Sequence, residues 1–130
     1  MKFHHLGIAC GDIEKAIIFV KRMHDLEFES EIIFDKHQNA NLCLLRTDEN
    51  IGIELVSGEK VMKLVKRNTL LYHTCWEVDV IEDSIMKLLK NSDTILLSEP
   101  TPAILFNNRK VAFIHTPIGV VELLEKENED

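Results

Sequence analysis

The strongest constraint in this sequence is an internal repeat that relates its two halves. The stretch HHLGIACGDIEKAI begins at His4, and HTCWEVDVIEDSI begins at His73. In both, a histidine opens a short apolar run, an acidic turn follows, and an amphipathic segment begins with Ile-Glu. His73 follows His5 by 68 positions, so a chain of 130 residues holds two copies of one unit within the length of a single domain.

Apolar periodicity predicts the same order of elements in each half. Residues 3–10 form a strand, and Asp12 then caps a helix that ends near His24 and Asp25. In the second half, residues 71–78 form the strand, and Asp79 with Glu82 forms a capping box for the next helix. The remaining predicted strands are 26–35, 42–47, 51–57, 93–99, 110–116 and 119–125, with a proline-containing loop before residue 110.

This order predicts an α+β fold in which two βαβββ modules form one domain over residues 1–130. The first module covers about residues 1–57, a polar connector covers 58–70, and the second module covers about 71–126. Each module would expose one apolar sheet face, so the two modules must pair to bury it.

The same offset relates two acidic residues. Glu122 follows Glu54 by 68 positions, and each histidine precedes its glutamate by 49 positions (54 − 5 and 122 − 73). Each glutamate lies between two apolar residues of a predicted strand. Because side chains alternate along a strand, each glutamate faces the side opposite its apolar neighbours.

Taken singly, each of these four residues is better explained as half-buried or solvent-facing. As a set that shares one offset, His5, Glu54, His73 and Glu122 indicate a metal site. Ionised carboxylates inside a sheet cavity are costly unless they are paired or hydrogen-bonded, and a divalent ion would resolve that cost. Two imidazoles and two carboxylates suit a first-row divalent metal, with open positions for two substrate oxygens.

Composition and charge exclude several classes of partner. A net charge of −7 argues against nucleic acid, although Lys60, Lys63, Lys66 and Arg67, or Arg109 with Lys110, could meet an anionic small molecule. No apolar run approaches the roughly 20 residues that span a bilayer, so no membrane association is expected. Three cysteines without CxxC spacing, and a start that does not read as a signal sequence, favour a cytoplasmic protein.

The remaining histidines receive no predicted role. His4 alternates away from His5, His24 lies at a helix end, His37 lies in a turn, and His115 has no counterpart one offset away.

Three residues of the second repeat are placed by the alternation of their strand. Cys75 and Glu77 share the face of His73, and Trp76 is expected in the core.

The residues resemble the vicinal oxygen chelate superfamily, which includes glyoxalase I, methylmalonyl-CoA epimerase and bleomycin-resistance proteins. The segments that carry the resemblance are FHHLGIACGDIEKAI, GIELV, LYHTCWEVDVIEDSI and KVAFIHTPIGVVELLE. It implies a cupped mixed sheet (the glyoxalase/bleomycin-resistance fold), a homodimer, and one divalent ion such as Ni, Co, Zn or Mn. The ligand order His5, Glu54, His73, Glu122 matches the glyoxalase I set.

Three positions depart from the family patterns. Glutathione-using glyoxalases tend to carry Arg and Asn four residues after the first two ligands, where this chain has Ala9 and Gly58. Epimerases carry a second catalytic glutamate where ungapped placement gives Gln38, and glutamine cannot act as a carboxylate base. Glu77 is the residue that could substitute for it.

The function implied by the resemblance is proton removal and return next to a carbonyl of a small acyl thioester or hemithioacetal. Glu122 would remove the proton after loosening from the metal, and Glu54 would return it. The alternatives are a glutathione-dependent lactoylglutathione lyase and a non-catalytic protein that binds a small molecule.

Overall fold

A computed structural model describes residues 1–128 of the chain. Within these residues the α-helices are α1 (Ile13–Met23), α2 (Met62–Lys66) and α3 (Ile81–Leu88), and short 3-10 helices cover Glu59–Val61 and Ile104–Phe106. The strands are β1 (Lys2–Ala9), β2 (Leu26–Glu29), β3 (Ile33–Asp35), β4 (Ala40–Thr47), β5 (Gly52–Ser57), β6 (Leu71–Val78), β7 (Ile95–Leu96), β8 (Thr101–Ala103), β9 (Arg109–Thr116) and β10 (Gly119–Glu125).

Contacts divide the described chain into two compact units. The first unit is His5–Tyr72, and the second joins Met1–His4 to the described residues from His73 onward. Phe3 lies edge-on against Trp76, with ring centroids 5.2 Å apart, and His4 lies edge-on against Phe106 at 5.5 Å. Both ring contacts join the first four residues to the second half of the sequence.

Both units have the same sheet topology. In the first unit, β5 is parallel to β1 and antiparallel to β4, and β4 in turn pairs with both β2 and β3. In the second unit, β10 is parallel to β6 and antiparallel to β9, and β9 pairs with both β7 and β8. The register repeats as well, because Gly7 is opposite Glu54 and Cys75 is opposite Glu122.

Each unit packs its helix on one face of its own sheet. In the first unit, Ile17 and Val20 of α1 pack against a cluster that includes Ile53 and Leu55. In the second unit, Ile81 and Ile85 of α3 pack against a cluster that includes Leu123. Trp76 packs against this second cluster, as predicted.

The first helix begins and ends where the sequence predicts. Asp12 is the N-cap, and its carboxylate accepts a 3.1 Å hydrogen bond from the Lys15 backbone N–H. His24 is the C-cap, and its backbone N–H donates to the Val20 carbonyl.

The predicted capping box of the second helix is wrong. Val80 is the N-cap of α3 and makes no side-chain capping bond. The Ile81 N–H instead donates a 3.0 Å hydrogen bond to Oε2 of Glu125, which lies at the end of β10. A carboxylate from a distant strand therefore satisfies the helix end that Asp79 was expected to satisfy.

Two predicted strands are interrupted. The strand expected over 26–35 is split into β2 and β3, because the Ser30 hydroxyl accepts the Leu44 N–H where strand pairing would otherwise continue. The strand expected over 93–99 is reduced to β7. Ser98 Oγ accepts the Phe113 N–H, and β8 then forms inside the predicted proline loop.

No helix in the described part of the chain is both long and apolar enough to cross a membrane.

Candidate functional site

The first unit contains a buried histidine–glutamate pair. His5 lies on β1 and Glu54 on the parallel strand β5, and Nε2 of the imidazole is 3.8 Å from Oε1 of the carboxylate. Gly7 lies directly opposite Glu54 in the register and shares the face of His5. The histidine and the carboxylate are thus diagonal neighbours across the two strands, with no side chain at Gly7 beside them.

The second unit contains the corresponding pair. His73 lies on β6 and Glu122 on β10, with Nε2 3.2 Å from Oε1. Cys75 occupies the register position opposite Glu122 and is buried. It therefore shares the His73 face, as predicted, and lies where the first unit has Gly7.

All four side chains are almost completely buried, with relative exposures of 0% for His5, 1% for Glu54, 2% for His73 and 0% for Glu122. The apolar neighbours of each glutamate pack towards the helix of the same unit, so each carboxylate points to the opposite sheet face. The alternative in which the glutamates face solvent therefore does not hold.

Aromatic packing distinguishes the second pair from the first. Phe113 lies opposite Glu122 in the antiparallel register of β9 and β10. Its ring meets the imidazole of His73 edge-on, with centroids 5.4 Å apart. The corresponding neighbour of Glu54 is the half-buried Leu44. Sequence reasoning missed Phe113, although a hairpin register for the two last strands would have placed it beside Glu122.

The donor set of these pairs fits a divalent metal ion. Each pair offers an imidazole nitrogen and a carboxylate oxygen within 4 Å of each other, away from water. Burial of a carboxylate is costly without a compensating charge, and a divalent ion supplies one. Nitrogen and oxygen donors without thiolates suit ions such as Ni, Co, Zn or Mn.

The charged residues Arg109, Lys110 and Glu77, which the sequence analysis considered for ligand binding or catalysis, form ion pairs within the protein. Arg109 Nη2 donates a 2.6 Å hydrogen bond to Oε2 of Glu77, and Arg109 Nε donates to the Glu125 carbonyl. Lys110 forms an exposed ion pair with Glu82 at 3.2 Å. Glu77 is thus held by a cation, which makes it a poor substitute for a missing base.

Gln38 belongs to a turn organised by Asp35, a buried carboxylate at the end of β3. Asp35 accepts hydrogen bonds from the backbone N–H groups of His37 and Gln38 and from Nε2 of Gln38. The side chain of Gln38 therefore stabilises the turn, and His37 lies in the turn as predicted.

The local structure explains why Ala9 and Gly58 stand where glutathione-using glyoxalases tend to carry Arg and Asn. Ala9 is fully buried, and its N–H donates a 2.7 Å hydrogen bond to the Leu70 carbonyl, so a charged side chain would be buried at this position. Gly58 has φ 113° and ψ −170°, a backbone region occupied almost only by glycine.

The cysteines are thiols rather than disulfides. Burial raises the pKa of Cys10 to about 11, assisted by the nearby charge of Asp12, and its Sγ donates to the Val56 carbonyl. Burial also raises the pKa of Cys43, which contacts Ser30.

Comparison with known proteins agrees with the resemblance. The sequence profile of the Glyoxalase/Bleomycin resistance protein/Dioxygenase superfamily matches residues 4–113. Among curated proteins, none matches this sequence.

Solved structures resemble the chain over nearly its whole length. A hypothetical protein from Bacillus halodurans has a TM-score of 0.76 and 23% identity, covering 99% of this chain and 96% of that one. Methylmalonyl-CoA epimerase from Mycobacterium tuberculosis has a TM-score of 0.78 and 20% identity, covering 98% and 89%. A glyoxalase I variant from Zea mays has a TM-score of 0.66 and 17% identity, and the match covers 99% of this chain but 44% of that longer one. These likenesses confirm the predicted α+β fold.

Proposed function

The chain belongs to the glyoxalase/bleomycin resistance protein/dioxygenase superfamily, and from that membership we propose a metal-dependent enzyme that removes and returns a proton next to a carbonyl group. The observation that carries this proposal is the buried histidine–glutamate pair that occurs once in each unit, at the same register. Histidines and glutamates that only faced solvent would be neither buried nor repeated at the same register in both units.

We propose that His5, Glu54, His73 and Glu122 together hold one divalent ion, through two ring nitrogens and two carboxylate oxygens. When bound, such an ion polarises a substrate carbonyl and stabilises the negative charge that develops on its oxygen. Edge-on packing of Phe113 orients His73, so the second pair is preorganised.

The two carboxylates supply the proton transfer. Glu122 is the base expected from the resemblance, and Glu54 is expected to return the proton. Their burial keeps bulk water away from the carboxylates, which favours transfer between a side chain and the substrate over exchange with solvent.

A small acyl thioester is the proposed substrate class. The similarity to methylmalonyl-CoA epimerase supports it, and the glycine-only backbone at Gly58 disfavours the asparagine typical of glutathione-using glyoxalases. The complete His-Glu-His-Glu set and the similarity to maize glyoxalase I favour a second candidate, glutathione-dependent lyase activity on a hemithioacetal.

Deuterium incorporation tests the proposal. The protein, loaded separately with Ni²⁺, Co²⁺, Zn²⁺ or Mn²⁺, is incubated in D₂O with a panel of acyl-CoA thioesters, and exchange next to the carbonyl is followed by mass spectrometry. Methylglyoxal with glutathione, followed by absorbance of the thioester, tests the lyase. Metal binding without turnover of either class would leave the alternative of a non-catalytic binding protein.

A homodimer in the cytoplasm completes the proposal. Ile18, Phe19 and Met23 leave an apolar strip of α1 exposed, which a second copy of the chain would cover. Three cysteines outside disulfides suit a reducing compartment. Light scattering coupled to size-exclusion chromatography tests the assembly, and a mass of one chain would refute it.

A further inference from the structure

We propose that Arg46 is a specificity-determining residue that binds a carboxylate of the substrate, a proposal that rests on the function above. The substrate class is then a thioester whose acyl chain ends in a carboxylate, a few methylene groups from the carbon that loses the proton. The register of three neighbouring strands and the hydrogen bonds of the Arg46 guanidinium support this assignment.

Arg46 lies on the sheet face that holds the buried carboxylate of the first unit. In the antiparallel pair of β4 and β5, Leu44 is opposite Glu54 and Arg46 is opposite Gly52. Directly opposite residues share a face, as do residues two apart along a strand, so Arg46 and Glu54 project from the same face. The Arg46 backbone is about 7 Å along β4 from the position opposite Glu54.

Arg46 also shares a row of the sheet with His5. Leu6 is opposite Ile53 in the parallel pair of β1 and β5, so one step earlier His5 comes level with Gly52. Two strand spacings, or about 10 Å, therefore separate the backbones of Arg46 and His5. The residue between them in this row is Gly52, so β5 places no side chain between the arginine and the buried histidine.

The guanidinium of Arg46 has hydrogen-bond donors available for a ligand. Its Nη1 donates to the backbone carbonyl and to Oδ1 of Asn50, both at 3.4 Å, which is long for such a bond. Within the part of the chain that the structure describes, no oxygen accepts from Nε or Nη2 of Arg46, and no carboxylate pairs with it. A carboxylate at Nε and Nη2 would accept two parallel charge-assisted hydrogen bonds.

Arg109 shows the opposite arrangement in the second unit. It lies four residues before Phe113 on β9, and Phe113 is opposite Glu122, so Arg109 is on the corresponding sheet face. Its Nη2 donates a 2.6 Å hydrogen bond to Glu77. The second unit thus neutralises its arginine with a carboxylate of its own, whereas Arg46 is left for a carboxylate that a ligand supplies.

The matching position of the second unit holds a different basic residue. His115 is opposite Val120, just as Arg46 is opposite Gly52, two residues outward from the glutamate of the same unit. An imidazole lacks the forked donors of a guanidinium. Bidentate recognition of a carboxylate is therefore a property of the first unit.

The spacing between Arg46 and the proposed metal ligands selects the length of the acyl chain. The carbonyl and the carbon that loses the proton belong near His5 and Glu54, which are part of the proposed metal site. A carboxylate held by Arg46 must lie farther along the chain. Glutaryl-CoA has this arrangement, and pentanoyl-CoA carries a methyl group in place of the carboxylate.

Deuterium exchange with this matched pair of thioesters tests the inference. Arg46→Met should raise KM for glutaryl-CoA by at least about tenfold with little change in kcat, because a bidentate pair is lost. KM for pentanoyl-CoA should stay within about twofold of the wild type. Arg46→Lys keeps the charge without the fork and should give an intermediate KM for glutaryl-CoA.

Arg22→Met is the control for a change in net charge. Arg22 is exposed on α1, whose apolar residues pack on the other face of the same sheet, so both KM values should be unchanged. Equal rises in KM for the two thioesters in Arg46→Met would overturn the inference.

Isothermal titration of the Ni²⁺-loaded protein with glutarate and with pentanoate gives a measurement that needs no turnover. Each acid offers one carboxylate to the ion, and only glutarate offers a second one to Arg46. We expect the wild type to bind glutarate at least about tenfold more tightly than pentanoate, and Arg46→Met to bind the two within about threefold. A wild type without a preference for glutarate contradicts the assignment.

The outcomes separate this inference from the function on which it rests. If the wild type exchanges deuterium into neither thioester, but its preference for glutarate is lost in Arg46→Met, the proposed reaction fails and the carboxylate site stands. If the wild type exchanges deuterium into both thioesters and Arg46→Met has the same two KM values, only the assignment of Arg46 fails.

Discussion

Arg109 and Glu77 form a 2.6 Å hydrogen-bonded ion pair in which both side chains are less than one third exposed. Replacement of Arg109 by Met should lower the free energy of unfolding by about 1–2 kcal/mol, because a charge-assisted hydrogen bond is lost and the partly buried Glu77 side chain loses its partner. Urea unfolding measures the difference. Lys110→Met removes the exposed pair with Glu82 and is the matched control, expected to change stability by less than about 0.5 kcal/mol. Equal losses in the two variants would contradict the prediction.

Glu125 should matter more for the start of α3 than the two acidic residues that precede or begin that helix. Glu125→Ala removes the acceptor of the Ile81 N–H and should cost about 1 kcal/mol in stability. Asp79→Ala, in which an exposed residue is changed, should stay within about 0.5 kcal/mol of the wild type. Chemical denaturation of both variants measures the two losses of stability. A larger loss for Asp79→Ala than for Glu125→Ala would indicate that Asp79 caps the helix.

Gly58 should resist substitution because of its backbone conformation. Gly58→Ala places a Cβ at φ 113° and should cost about 1–3 kcal/mol, even though the nearest atom, the Asn39 carbonyl oxygen, is at an ordinary 3.5 Å. Gly11→Ala is the control, since its Cβ would only make van der Waals contact with Val65 at 3.6 Å. Thermal unfolding of the pair gives the comparison, and similar melting temperatures would be inconsistent with backbone strain.

Metal binding should stabilise the folded protein. At a Ni²⁺ concentration one hundred times the dissociation constant, the gain is about 2.7 kcal/mol, or about 10 °C in Tm for a chain of this length. His73→Asn should abolish most of the increase, because a buried nitrogen donor is removed. His115→Asn changes an exposed histidine, and this variant should retain the increase in Tm. A full increase in the His73 variant, read by differential scanning fluorimetry, would count against the ligand assignment.

Cys10 should be unreactive at neutral pH despite its partial exposure. A pKa of about 11 keeps the group as the neutral thiol below that pH, and only the thiolate is the nucleophile. Iodoacetamide labelling followed by peptide mass spectrometry should show a rate that rises about tenfold per pH unit up to about pH 10. A labelling rate that stops rising near pH 9 would indicate that the pKa of the Cys10 thiol is not raised.

Much of the fold could be predicted because the signals are local or repeated. Asp12 caps α1 through a bond that spans three residues, and the 68-residue offset reappears in the register of Gly7 with Glu54 and Cys75 with Glu122. Strand alternation alone placed both glutamates on the face opposite their apolar neighbours. That the four residues share one ion stays a prediction.

What could not be predicted depends on distant side chains. The cap of α3 joins residues 44 positions apart, and Arg109 reaches Glu77 across 32 positions. The break at Ser30 arises because a hydroxyl competes with the backbone for the Leu44 N–H, and propensity does not reveal that competition. Phe113 was missed for a related reason, since its role depends on hairpin register rather than on its own sequence neighbours.

The membership of Met1–His4 in the second unit has a consequence for synthesis on the ribosome. Phe3 precedes Trp76, against which it packs, by 73 positions (76 − 3), so it is translated before its partner. The contact between Phe3 and Trp76 therefore cannot form until the whole of the first unit has been translated.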